Sequence, residues 1–250
     1  MKILAIDTST ASGSIALLED DRLIAELTTC SQKTHAERLL PSIKGLLEGA
    51  DARIEEIDCF AVTKGPGSFT GLRIGLSTVK GLAWSLHKPV IGVSTLEALA
   101  MNIPYADKPI CPILDARKKE VYAGIYKLQD ASSKMQDINK DFATCNLRLA
   151  TCIMPDAAIS PEALIDRIEE STIFLGNGVK IISDLKSQIR NPKSEIIFAP
   201  SHLWLIRAVN IGLLAWKKFK GGEIDSPEAV GLNYLRPSEA ELKVRLKADG

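Results

Sequence analysis

Two periodicities organise the N-terminal part of the chain. KILAID, GSIALLE and RLIAELTT are apolar runs of strand length, and the tight acidic turn at Asp20-Asp21 predicts that the second and third pair antiparallel. Over residues 34–48 the period lengthens: Ala36, Leu39, Leu40, Ile43 and Leu47 recur at helical spacing. Thr34 and Glu37 form a capping box at its start, and Pro41 inside it removes one backbone hydrogen bond and predicts a kink. IDCFAVT then reads as a buried strand, TKGPGSF as a glycine-rich loop, and residues 70–86 as a helix. Leu72, Leu76, Val79, Ala83 and Leu86 form one stripe of that helix. PVIGVS and TLEALAMN add a strand and a helix. The order β-β-β-α-β-α-β-α predicts a mixed sheet: an antiparallel meander followed by strands returned through crossover helices.

A proline-flanked break at residues 103–109 separates this from a second series. PICPILDA and EVYAGIYKLQ open it as strands, with polar ARKK between them. Residues 129–141 are polar and aromatic-free and read as a loop; CNLRLATCIM reads as a strand. SPEALIDRIEE begins a helix, with Ser160 as N-cap and Pro161 at the first position. TIFLGNGV is a strand ending in a glycine turn. Residues 203–220 form a long apolar helix with a basic last turn, which suits the helix dipole. The last dozen residues are charge-rich and predict a frayed end. Both halves open with strands and then alternate strand and helix, an echo of duplication without a residue-level repeat.

Composition narrows the function classes. The chain has 250 residues, 46% hydrophobic and 25% charged, in the range of ordinary soluble domains. Lys+Arg and Asp+Glu are both 31, so there is no basic excess to mark a protein that grips nucleic acid alone. The five cysteines are odd in number and include no C-x-x-C, against a disulfide framework or a thiolate zinc site. MKILAIDTST lacks the form of a signal peptide, and no apolar run is long enough to span a bilayer. These features predict a cytoplasmic protein with reduced thiols.

Three stretches carry candidate chemistry. TKGPGSFTGLRIG fails both nucleotide fingerprints: Gly67 and Gly71 are misplaced for a Walker loop and no Lys-Ser follows, while Thr70 stands where the third glycine of G-x-G-x-x-G belongs. A helix N-terminus there is able to hold an anion. The other reading is close packing, which the cost of Gly71, Gly75 and Gly81 inside a helix favours. Ile74, Thr78, Gly81 and Ser85 make a second, small-residue face. THAERLL is the second stretch; His35 has Leu39 at the position where a metal-binding helix needs another histidine. In AIDTST, the third, Asp7 at a strand end either caps its own turn or faces a metal-nucleotide, and the sequence leaves both open. No nucleophile has an obvious base beside it.

Taken together, AIDTST with GSIALL, THAERLLPSI, AVTKGPGSFTGLRIGLSTVKGLAW, PVIGVSTLEALA, PILDARKKEVYAGIY and YLRPSEAE resemble the TsaB (YeaZ) family over nearly the whole chain. The resemblance implies an α/β fold of the actin-like ATPase superfamily, with two related lobes of mixed sheets flanked by helices. It implies lobes at residues 1–104 and 105–250, with helix 203–220 crossing back to the first. It also implies a non-catalytic subunit for threonylcarbamoyl transfer to an adenosine of tRNAs that read ANN codons. The implied partners are TsaD, a catalytic paralogue, and TsaE, a small ATPase, with a homodimer when the chain is alone, tRNA met only through the complex, and no membrane. The alternative is a free-standing small-molecule kinase or ATPase, or a glycoprotease-like enzyme, of the same superfamily.

For individual residues the resemblance implies no catalytic group, no metal and no cofactor of the chain's own. The paralogue's H-x-E-x-H is His35-Ala36-Glu37-Arg38-Leu39 here. Residual adenine-nucleotide contacts would fall on Asp7, Asp115, Gly176 and Gly178, although Ser9 replaces the glycine of D-x-G-T. The first two helices would form the partner surface through His35, Glu37, Leu39, Leu40 and Ile43 on one, and Gly71, Ile74, Gly75, Thr78, Gly81 and Ser85 on the other. Gly65, Pro66, Gly67, Ser68, Phe69, Thr70 and Arg73 would form the rim loop that sets the second helix's angle.

Overall fold

The computed structural model describes residues 1–128, 150–185 and 195–236. The first sheet contains β1 (Lys2–Asp7), β2 (Ser12–Glu19), β3 (Arg22–Cys30), β4 (Cys59–Thr63) and β5 (Val90–Val93), in the order β3-β2-β1-β4-β5. β1 and β2 pair antiparallel, as do β2 and β3, whereas β1, β4 and β5 run parallel. The second contains β6 (Ile110–Arg117), β7 (Glu120–Leu128), β8 (Ala150–Ile159), β9 (Thr172–Leu175) and β10 (Ile196–Phe198). Its order, β8-β7-β6-β9-β10, repeats the first sheet strand for strand, with the same senses of pairing. The duplication legible only as an echo in the sequence is thus a repeated topology. The fold is α/β, two mixed sheets flanked by helices.

Alternation along β1 shows how the first sheet is buried. Leu4 and Ile6 join the core beneath α1 (His35–Gly49) and α2 (Phe69–Leu86), and Ile3 and Ala5 join the core on the opposite face. Both faces are covered, so β1 and β4 read as continuous apolar runs. The opposite face is covered by α6 (Ala208–Lys220), which returns after the second sheet to pack on β1 and β2. α3 (Thr95–Ala100) follows β5 and lies between α6 and the strands of the second sheet. Its N-cap, Ser94, accepts the Glu97 N–H at 3.3 Å and donates to Asp156 of β8 at 2.6 Å. Asp156 also accepts from the Tyr126 hydroxyl of β7. Burial raises the pKa of both Asp156 and Tyr126.

Local signals hold where the sequence supplied its own caps. The Thr34–Glu37 capping box is formed, and Ser160 caps α4 (Pro161–Ile165) with Pro161 in the first turn. α6 begins later than its apolar pattern suggests. Ser201–Leu203 is one 3-10 turn, and Arg207 is extended. The reason is tertiary. Asn102 donates to the carbonyls of Leu203 and Leu205, which holds the chain out of helix. The N–H groups of Ala208 and Val209 are then capped by Ser14 and Glu26 of the first sheet, at 2.9 and 3.0 Å. The strand expected in CNLRLATCIM runs on to Ile159; its residues before Ala150, the polar stretch 129–141 and the charge-rich end lie outside the described residues.

α2 meets the end of β1 without a gap. The Thr8 hydroxyl donates to the Gly71 carbonyl at 2.7 Å. A Cβ at Gly71 would stand 2.1 Å from the Thr8 carbonyl oxygen, and one at Gly75 2.2 Å from the Thr8 hydroxyl. This corrects the expected partner face: Gly71 and Gly75 are buried against the chain's own β1 end and are out of a partner's reach. Leu39 and Ile43 are corrected with them, because their helical spacing turns them into the core beneath the sheet. Gly81 differs, since nothing lies within 4 Å of the Cβ it lacks. Gly75→Ala is therefore expected to destabilise the fold by about 1–3 kcal/mol, and Gly81→Ala to stabilise the isolated chain by up to about 1 kcal/mol. Urea unfolding of the two variants checks the opposite signs.

Candidate functional site

The glycine-rich loop forms one wall of a cleft of about 410 Å³ between the two sheets, facing Asp115, Arg117, Lys118, Tyr122 and Asn177. The loop is held from both sides. The Ser68 N–H donates to the Ser9 carbonyl at 2.7 Å, and the Ser68 hydroxyl accepts the Gly71 N–H, capping α2. On the other side the Asn233 N–H donates to the Lys64 carbonyl at 2.7 Å, and the Asn233 carbonyl lies against Gly65. Tyr234 stacks on Phe69 with ring centroids 4.9 Å apart, and Arg73 lies over Phe69 and donates to the Tyr234 hydroxyl at 3.0 Å. Arg236 then pairs with Glu120 of β7 at 3.0 Å. Two early N–H groups of the loop and helix are thereby used by the chain itself, which favours the packing reading over the anion cradle.

The four positions considered for a nucleotide do not converge. Asp7 is fully buried and does not line the cleft. Its Oδ1 accepts from the Ser9 N–H at 3.1 Å and the Thr63 hydroxyl at 2.8 Å, while Oδ2 has no partner. Burial raises its pKa, and the hydrogen bonds and the nearby His35 pull the other way. Gly176 and Gly178 fit closely against the Ile113 backbone and do not line the cleft. Asp115 alone of the four reaches the cleft; its carboxylate accepts the Arg117 N–H at 2.7 Å, and Asn177 Oδ1 accepts the Asp115 N–H at 2.9 Å.

The outer faces of α1 and α2 are the second candidate. Leu40 is 54% exposed and Trp84 62% exposed, and Gly81 and Ser85 lie on the surface with them. Ile74 and Thr78 are half-buried at the margin. Glu37 is tied to Thr34 by the capping box. His35 turns inward: Nε2 meets the Thr10 carbonyl at 2.7 Å and Nδ1 the Arg38 guanidinium at 3.1 Å. Among the described residues no group of three or more His, Cys, Asp or Glu is placed to hold a metal, and no helix is long and apolar enough to cross a membrane. Trp84 was missed in the sequence reading. Its signal was there, since it falls off the stripe that buries Val79 and Ala83. The clasp by Asn233 and Tyr234 had no signal, because partners so distant in sequence share no spacing.

The comparisons decide the family. The TsaB protein of Escherichia coli (strain K12) is 38% identical over 249 residues, 98% of either chain, and that of Bacillus subtilis (strain 168) is 34% identical over 248 residues, 97% of either chain. The chain belongs to the TsaB family. A family model described as TsaD, tRNA N6-adenosine threonylcarbamoyltransferase, matches residues 27–243. The solved structure of YeaZ from Pseudomonas aeruginosa superposes with a TM-score of 0.74 at 29% identity, covering 94% of this chain and 99% of that one.

The sealed carboxyl of Asp7 gives this site its own test. A raised pKa means that the folded chain keeps this proton to higher pH than the unfolded chain does. Stability therefore falls as pH climbs through the window from the ordinary carboxylate value to the folded one. Asp7→Asn keeps the Oδ1 acceptor and cannot ionise. Its loss of stability between about pH 5 and about pH 8 is expected to be smaller than the wild type's, measured by urea unfolding at both. Equal losses would show that Asp7 ionises in the fold without penalty.

Proposed function

We propose that this chain is a non-catalytic partner subunit in the synthesis of threonylcarbamoyladenosine in tRNAs that read ANN codons. It acts in the cytoplasm by docking a TsaD-like catalytic paralogue, together with a TsaE-like ATPase that handles ATP. The observation that carries this reading is the pairing of an open face with a closed site. Leu40 on α1 and Trp84 on α2 stand in solvent, and Gly81, one turn before Trp84, has nothing over it. A large exposed aromatic is the usual anchor of an interface, and a glycine in mid-helix is tolerated where another backbone must come close. Meanwhile Asp7, the strand-end carboxylate that a phosphoryl-transfer enzyme would need in the cleft, is buried behind Thr8 and α2.

The names of the TsaB relatives support the pathway, and the family model's description supports a paralogue of the transferase. A free-standing kinase would need a carboxylate open to the cleft besides Asp115, and a metalloprotease a second histidine where Leu39 is buried. Left without its partner, the same apolar face would pair with a second copy of this chain. Trp84→Glu is expected to weaken association with the TsaD-like protein of the same organism at least about tenfold while leaving the melting temperature near the wild type's, because the ring is exposed. If Trp84→Glu and Leu40→Asp both associate as tightly as the wild type, the helix pair is not the docking face.

A further inference from the structure

The turn between β6 and β7 is chemically unusual. Arg117 pairs with Glu120 across the hairpin, leaving a two-residue tip of Lys118 and Lys119. Arg117, Lys118 and Lys119 have φ of 61°, 51° and 62°. Two-residue hairpin tips demand such angles and are normally met by Asn-Gly or Gly-Gly. Here three consecutive long cations hold them, all exposed. Non-glycine residues kept in the left-handed region against their preference are a mark of function, since glycine would relieve the strain. The tip is fixed from below by Asp115, which accepts the Arg117 N–H, and by Asn177, which accepts the Asp115 N–H.

Arg117 and Lys118 also line the interlobe cleft, with Tyr122, Tyr234 and Arg236. We propose that this cationic hairpin and the aromatic cleft beside it form a direct contact for an unpaired RNA segment, with phosphates on Arg117, Lys118 and Lys119 and a base on the exposed ring of Tyr234. The inference rests on the proposed role in tRNA modification and departs from the expectation that tRNA is met only through partners. Cations in sequence suit the repeating phosphates of a strand, and sequence-tolerant stacking on aromatics is how single strands are held. The zero net charge of the chain does not oppose this, because it averages a local cluster away. A free nucleoside triphosphate fits less well. It arrives with a divalent cation that needs carboxylates, and Asp115, with one oxygen already taken by the Arg117 N–H, is the single acidic residue among the described residues lining the cleft, while Asp7 is sealed.

The test uses a fluorescent anticodon stem-loop RNA from an ANN-reading tRNA, titrated with the full chain and with its mixture with the TsaD-like protein. The variant carries Arg117→Gly, Lys118→Gly and Lys119→Gly together. It should melt no lower than the wild type, because glycine is at ease at these angles, yet bind the RNA at least about fivefold more weakly. Its log–log salt dependence should be shallower by about 1–2, the loss of two or so phosphate contacts. Tyr234→Leu should weaken binding with less change in the salt slope. Unchanged RNA affinity in the triple variant overturns the proposal. So does competition by magnesium-ATP at concentrations as low as the RNA's, which would assign the cleft to a free nucleotide. Association with the TsaD-like protein, read in the same samples by light scattering, separates the two claims. Its absence in the wild type defeats the docking role, whereas RNA binding lost with association intact bears on the hairpin alone.

Discussion

The contact of Thr8 with Gly71 and Gly75 is the constraint on which the rest of the molecule depends. It brings α2 onto the end of β1 with no helix side chain between them, and the Thr8 hydroxyl fixes the approach at 2.7 Å. Three consequences follow. Asp7, one residue earlier, is shut away from the interlobe cleft. The Gly65–Thr70 stretch is drawn over Ser9, so that Ser68 both meets its carbonyl and caps the helix. The helix itself is oriented so that Leu72, Leu76, Val79 and Ala83 face inward while Trp84 is left in solvent. The same packing commits the start of the helix to the chain itself, where a phosphate site would need it open.

The repeat of one strand order in both sheets explains the cleft, and two segments of late chain explain why it holds its shape. α6 leaves the second sheet and borrows its helix cap from Ser14 and Glu26 of the first. The stretch from Asp225 to Arg236 makes the reverse journey. It bridges to Val90, runs along Lys64 and the glycine loop, and reaches Glu120. With the Ser94–Asp156–Tyr126 cluster added, three separate crossings tie the lobes, each made of polar groups satisfied by the other side.

Local chemistry was legible in the sequence and tertiary chemistry was not. The Thr34–Glu37 box, the Ser160-Pro161 start and the meander-then-crossover order follow from near neighbours, and each is present. The start of α6 was set five residues too early because its apolar run has no cap of its own; the cap comes from strands almost two hundred residues away. The glycines of α2 were rightly read as a close approach, but the approaching group is Thr8 of the same chain for Gly71 and Gly75, and only Gly81 is open. Spacing shows that a helix has small residues on it. It does not show which neighbour needs the room. The Lys118-Lys119 turn was hidden for a related reason: it lacks the residues by which such turns are recognised.

The account's central claim is that the face of α1 and α2 serves a partner and that the cleft serves no phosphoryl chemistry of this chain. Size by light scattering, for the chain alone and mixed with the TsaD-like protein of its organism, tests it most directly. A self-associated species that gives way to a one-to-one heterocomplex is the predicted result. A chain that stays monomeric and ignores the paralogue at concentrations well above those in cells would contradict it, and would return attention to the glycine loop as a site in its own right.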